Sequence, residues 1–322
     1  MIPCFVGFDT SNYTTSAALC DEGGGVILNL KKPLPVKDGE CGLRQSDAVF
    51  AHVRNLPEIT DGLRYALETE HLFPVAVGVS SKPRDAEDSY MPCFLSGVAA
   101  AHSFAASLNL PIFEFSHQNG HIAAASYSAG KDPFESEFIA FHVSGGTTEV
   151  LRVVPKDGLF SSELVGGTSD LNAGQAIDRT GVMMGLHFPC GPALEGLALA
   201  YLAGDGKIPH FRTSVKGTEC NLSGLQNLAS GLFSESGDKG VTAAAVFDFL
   251  GRTLREMTVN VRKKLGELPV IYAGGDMSHS IIKDMLSAEK NTFFADRAFS
   301  ADNAVGTALL CRKKYSLTGG VV

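Results

Sequence analysis

The chain has 322 residues, of which 44% are hydrophobic and 19% charged, with a formal net charge of −8. That length suits two domains or one large one, no apolar run approaches the roughly 20 residues that cross a bilayer, and the acidic balance argues against a protein that grips nucleic acid unaided. Seven scattered cysteines without C-x-x-C spacing fit reduced thiols in a cytoplasm better than a disulfide framework.

The opening "MIPCFVGFDTS" has neither a basic start nor a cleavage-like end, so it reads as a core strand rather than a signal peptide. Residues 4–8 and 15–19 are expected as strands joined by the polar turn "DTSNYTT", and the meander runs on past "DEGGG" into "VILNLKKPL". Helical apolar spacing follows in 46–67, a buried strand in 75–81 and a small-residue helix in 94–108. "PIFEFS" then leads as a strand into a helix that begins with "HQNGH". A second meander spans "EFIAFHVSGGTTEVLRVVP" and "SSELVGGTSD". Helices are expected over 172–184, 193–204 and 241–265, a buried strand in "LPVIYAGG", and further helices in "HSIIKDML" and 302–317.

Meander then helices thus occurs twice. Both halves open alike, with an apolar strand, a Thr/Ser/Gly turn and a returning strand ("VGFDTSNYTTSAAL" and "IAFHVSGGTTEVLRV"). This predicts a duplicated α/β unit, with a first lobe of residues 1–112 plus 303–322 and a second of 113–302 carrying the histidine helix. A cleft between such lobes is a preferred ligand site.

His117 and His121 stand four apart, so on a helix they face the same way and can reach one ion. Neutral imidazole suits zinc or iron, while the plainer alternative is a pair of polar residues at a helix start. A zinc protease would need Glu directly after the first histidine. Gln118 stands there and cannot act as a base, which argues against a peptidase. Asp302, at the edge of the last helix, is either a third ligand or an ordinary N-cap. The glycine turns "HVSGGTTE" (Ser144, Gly145, Gly146, Thr147) and "YAGGDMS" (Gly274, Gly275) suit close approach to phosphate. Asp178 could bind ribose hydroxyls or pair with Arg179. Cys190 has no His and acid constellation to make it a nucleophile.

Several of these segments together resemble the TsaD/Gcp family, which makes N6-threonylcarbamoyladenosine in tRNA. "GFDTS", "SHQNGH", "HVSGGTTEV", "AGQAIDRT", "NLSGLQN", "YAGG" and "ADNAVGTAL" resemble its motifs in family order. The resemblance implies a duplicated actin/Hsp70-like (ASKHA) fold with an inter-domain nucleotide cleft. It implies one divalent metal, iron or zinc, on His117, His121 and Asp302. It implies ATP or threonylcarbamoyl-AMP at a phosphate-side loop of Val143, Ser144, Gly145, Gly146 and Thr147, with Asp178 and Gly191 on the nucleotide. The reaction implied is transfer of threonylcarbamoyl from threonylcarbamoyl-AMP to N6 of a tRNA adenosine, with partner subunits of a threonylcarbamoylation complex presenting the tRNA. A homodimer or heterodimer and a cytoplasmic location accompany this reading, and no membrane association is expected. No catalytic side chain is assigned.

Departures from the pattern fall elsewhere. The family's acidic pair in the first turn is replaced by Asn12, Tyr13, Thr14 and Thr15, and Asn119 replaces the Glu between the histidines. His279 takes the place of a nucleotide-contacting Asn, Cys190 that of a glycine, and "SKPRDAEDSYMPC" that of a glycine-rich loop. These differences point to a paralogue. They leave two alternatives open: a carbamoyl-type transferase with another acceptor, or a catalytically silent nucleotide-binding partner.

Overall fold

In a computed structural model of the protein, residues 1–11, 13–35 and 43–319 are described. In chain order, β1 (Ile2–Asp9), β2 (Thr14–Asp21), β3 (Val26–Pro33), α1 (Gln45–Thr69), β4 (Leu72–Lys82), α2 (Phe94–Leu108), β5 (Ile112–Ser116) and α3 (His117–Ser128) come first. Then follow β6 (Phe138–Val143), β7 (Thr148–Lys156), β8 (Leu159–Thr168), α4 (Ala173–Met183), α5 (Gly191–Ala203), β9 (Val215–Lys216), β10 (Glu219–Cys220), α6 (Gly224–Ser236) and α7 (Lys239–Leu265). The chain closes with β11 (Val270–Ala273), α8 (Ser280–Ser287), β12 (Thr292–Phe294), α9 (Arg297–Ser300) and α10 (Val305–Leu317).

Two compact units result. The first holds Met1–Glu135, Pro155–Ser161 and the chain from Ala298 onward; the second holds Ser136–Val154 and Ser162–Arg297. The first sheet runs β3-β2-β1-β4-β5, and the second runs β12-β11-β6-β7-β8-β10-β9. Read from its meander, the second sheet repeats the first, with β6, β7, β8, β11 and β12 in the places of β1, β2, β3, β4 and β5. The pairing agrees as well. β1 is antiparallel to β2 and parallel to β4, just as β6 is antiparallel to β7 and parallel to β11. The duplication expected from two similar openings is therefore present in the topology.

In the first unit, β1 is covered on both faces, and Cys4 through Asp9 are all buried, which is why it reads as a continuous apolar run. Gly7 lets the last helix lie on it, since a Cβ there would stand 2.5 Å from Ala304 O and 2.6 Å from Ala308 N. The approach of α10 to α3 is closer still. A Cβ on Gly306 would stand 1.7 Å from Gly120 O, so the two backbones touch. This contact corrects the expected lobe boundary, because α3 belongs to the first unit with α10 rather than to the second. In the second unit the 27-residue α7 is buried along most of its length, and β11 is buried throughout. α6 and the β9–β10 pair are two elements that the sequence pattern did not reveal. In the first turn Asn12 lies outside the described residues, and Tyr13 is exposed before β2 begins at Thr14.

Candidate functional site

α3 starts where β5 ends, and its N-cap is Ser116, whose hydroxyl accepts from Asn119 N at 3.2 Å. The capping role is thus taken, and the two histidines are free of it. The same happens at the other end of the chain. Val305 N donates to Asn303 Oδ1 at 3.0 Å, so Asn303, not Asp302, satisfies the first turn of α10.

With those duties elsewhere, His117, His121 and Asp302 converge, their ligand atoms all within 4.8 Å of one another. Asp302 Oδ1 lies 3.3 Å from His121 Nε2 and 3.7 Å from His117 Nε2, and the two rings stand 4.2 Å apart. Ligands about 2.1 Å from a tetrahedral metal sit about 3.4 Å from one another, so this set fits a small divalent ion. His117 Nδ1 lies 2.9 Å from Asp9 Oδ2, which fixes the ring with Nε2 toward the cluster. Asp9 is in turn held by Ser11, whose backbone N–H donates at 2.8 Å and whose hydroxyl donates to the same oxygen. Asp9 comes from the end of β1, and nothing in its spacing marked it as a partner of residue 117.

The electrostatics follow the geometry. Burial opposes ionisation of Asp9, but His117 and the Ser11 hydrogen bond draw its carboxyl down to about 2. Burial also opposes charging of His117, yet the adjacent Asp9 outweighs it and holds the ring above the ordinary imidazole range. His121 is pushed below that range by burial and by His117. Asp302, despite burial, is held low by the hydrogen bond from His121 and by both rings. One carboxylate, a neutral-leaning imidazole and an imidazole backed by a second carboxylate form a donor set for a borderline metal.

The second unit has its own pocket, about 330 Å³, with Gly145, Gly174, Asp178, Gly191, Glu195, Gly275, Asp276 and His279 among its lining residues. Of the residues expected at a nucleotide, Gly145, Asp178, Gly191, Gly275 and His279 meet there. Val143, Ser144, Gly146, Thr147 and Gly274 are not among the lining. Val143 is a buried strand residue, and Gly274, at φ +104°, sits where a Cβ would be 2.1 Å from Val143 O. Its freedom serves the close approach of backbone at the ends of β6 and β11. Asp178 Oδ1 accepts from Cys190 N at 2.7 Å, and burial pushes the Asp178 carboxyl up. That backbone bond, rather than an ion pair with Arg179, is what Asp178 makes.

Asp276, Glu195, Gly174 and Arg297 were not foreseen as pocket residues. Asp276 is half-buried, but its Oδ2 is sealed from solvent and has no partner among the described residues. Burial, then the neighbouring Asp178, push the Asp276 carboxyl up to about 7. The six described cysteines are buried, and no described helix is long and apolar enough to cross a membrane.

Among solved structures, a full-length HypF in the phosphate- and nucleotide-bound form aligns with a TM-score of 0.59 at 12% identity, over 96% of this chain and 46% of that one. This chain thus spans about half the length of HypF. The activator of 2-hydroxyisocaproyl-CoA dehydratase from Clostridium difficile, with bound ADPNP, aligns at 0.53 and 13% identity over 99% and 98%. A ROK family glucokinase from Streptomyces griseus in complex with glucose and AMPPNP aligns at 0.51 and 15% identity over 96% and 99%. These relatives carry the actin/Hsp70-like (ASKHA) fold, and at such identities the likeness is one of fold. The family model described as TsaD, tRNA N6-adenosine threonylcarbamoyltransferase, matches residues 90–309, more than half of the sequence and a span that contains all three clustered donors, so the chain belongs to the TsaD family.

Proposed function

We propose that the protein is a metal-dependent transferase that passes the threonylcarbamoyl group of threonylcarbamoyl-AMP to N6 of a tRNA adenosine. The observation that carries this reading is the convergence of His117, His121 and Asp302 inside the segment matched by the family model. His117 Nε2, His121 Nε2 and a carboxylate oxygen of Asp302 would hold the metal, iron or zinc, and when bound it would supply Lewis-acid stabilisation of charge developing on a carbonyl or phosphate oxygen.

The chain's own residues set the rest. Asp9 keeps the Nδ1 proton of His117 engaged, so that the ring offers Nε2 and cannot rotate away. The pocket of the second unit takes the nucleotide, ATP or threonylcarbamoyl-AMP, with Asp178 and His279 as its polar contacts and Gly145 and Gly275 leaving room for backbone approach. Positioning of the attacking amine is then the main contribution left to the protein, worth several orders of magnitude where geometry is held.

Reconstitution tests this. The protein is incubated with ATP, threonine, bicarbonate, the family's partner proteins and unmodified tRNA, and the tRNA is digested and searched for the modified base. The expected result is modified adenosine with the unaltered protein and none with His117→Ala. Nucleotide turnover without tRNA modification would instead support a second reading, transfer to a small-molecule acceptor, which the net charge of −8 favours. Nucleotide binding by a metal-free protein with no turnover would support a silent partner subunit.

A further inference from the structure

The two ring nitrogens of His279 are in different circumstances. Nδ1 lies 2.8 Å from Glu195 Oε2. The other oxygen of Glu195 accepts from Ser280 N at 2.5 Å and from the Ser280 hydroxyl at 2.8 Å. Burial opposes ionisation of Glu195, but the bonds from His279 and Ser280 hold its carboxyl below the ordinary range. An ionised carboxylate can only accept. A neutral His279 therefore carries its proton on Nδ1, and the lone pair falls on Nε2, an assignment made from the hydrogen bonds.

The ring is also held in place. His279 is 7% exposed and packs against Phe247, with centroids 4.9 Å apart. Nε2 has no hydrogen-bond partner among the described residues, and the residue lines the pocket. Gly191 keeps that nitrogen open, since a Cβ there would stand 3.0 Å from Nε2 and 3.1 Å from Cε1. The pocket thus presents a fixed, uncovered acceptor on a ring that cannot swing.

We propose that Glu195 is a positioning residue that locks His279 Nε2 as an acceptor, so that the pocket selects a nucleoside offering an N–H or O–H donor at that point. The donor is an exocyclic amine of the base or a hydroxyl of the sugar. This rests on the nucleotide reading given above. The asparagine at this place in the family pattern can turn to offer oxygen or NH2, whereas the locked imidazole offers an acceptor alone. A ligand lacking the donor leaves Nε2 buried and unpaired, and discrimination of that kind is steep.

Calorimetric titration separates the sources. ATP is compared with inosine triphosphate, which lacks the exocyclic amine, and with 2′-deoxy- and 3′-deoxy-ATP, each lacking one hydroxyl. The unaltered protein is expected to bind one of the three analogues more weakly than ATP by on the order of tenfold. In His279→Asn and in Glu195→Ala that ratio is expected to collapse toward one. Gly191→Ala keeps the Glu195–His279 pair but sets a methyl against Nε2, and is expected to weaken ATP itself. Nitrogen-15 spectra of the His279 ring should show the proton on Nδ1 in the unaltered protein and mixed tautomers in Glu195→Ala, a result that a merely structural role would not give. A ratio unchanged in His279→Asn, or a ring protonated on Nε2 in the unaltered protein, overturns the proposal. Failure of all four nucleotides to bind overturns the nucleotide reading itself, while the ring spectra still decide the role of Glu195.

Discussion

Asp9 shows how much of the proposed metal centre lies behind its ligands. Its carboxylate reaches His117 Nδ1 at 2.9 Å, and Ser11 holds its other oxygen. Asp9→Asn is expected to lower metal affinity 10- to 100-fold, measured by competition with a chromogenic chelator, with the circular dichroism spectrum unchanged. The histidine pair and Asp302 were visible in the sequence because helical spacing and family order mark them. Asp9 and Glu195 were not, because each acts on a ring from a distant part of the chain. Asp276 was not legible either, since its Oδ2 has no partner among the described residues. Its folded pKa of about 7 lies above the ordinary 3.8, so the folded protein keeps a proton that the unfolded chain releases. Stability owed to it is fully present below about pH 4, falls as pH rises from about 4 to about 7, and is flat beyond. Asp276→Asn should remove that slope, up to about 1.4 kcal/mol per pH unit. Urea unfolding of both proteins at pH 5 and pH 7.5 checks it, and equal pH dependence in the two would contradict it.

At the scale of elements, the His117–His121–Asp302 cluster depends on the backbone contact between α3 and α10. Gly306→Ala would place a methyl 1.7 Å from Gly120 O, with Ala124 N also within 2.9 Å. Neither is a flexible side chain that can give way. Overpacking of this sort costs about 1–3 kcal/mol or more. Separation of the helices would also part the histidines from Asp302. A lowered melting temperature and reduced metal content are expected together, measured by calorimetry and metal analysis. The caps show where sequence reading stopped. The sequence offered the two histidines as helix-start residues and Asp302 as an N-cap, and the structure shows that Ser116 and Asn303 do the capping. Short elements were the other loss, since the two-residue strands β9 and β10 carry no period to detect.

At the scale of the molecule, the repeated strand order of the two sheets is the deepest regularity, and it was legible in outline from two similar meanders. The division of the chain was not. α3 follows the first sheet in sequence and looks like the start of a second lobe. It stays with the first unit because Gly120 and Gly306 allow contact with a helix almost 200 residues away. Such a contact leaves no local signal beyond two glycines. The departures from the family pattern fall at the first turn and at His279, while the three clustered donors of the first unit are retained. The most direct test is metal analysis of the purified protein alongside His117→Ala, His121→Ala and Asp302→Ala. One equivalent of iron or zinc per chain, lost in each variant while the fold persists, is the expected result. Unaltered protein that stays metal-free after exposure to iron and to zinc would contradict it.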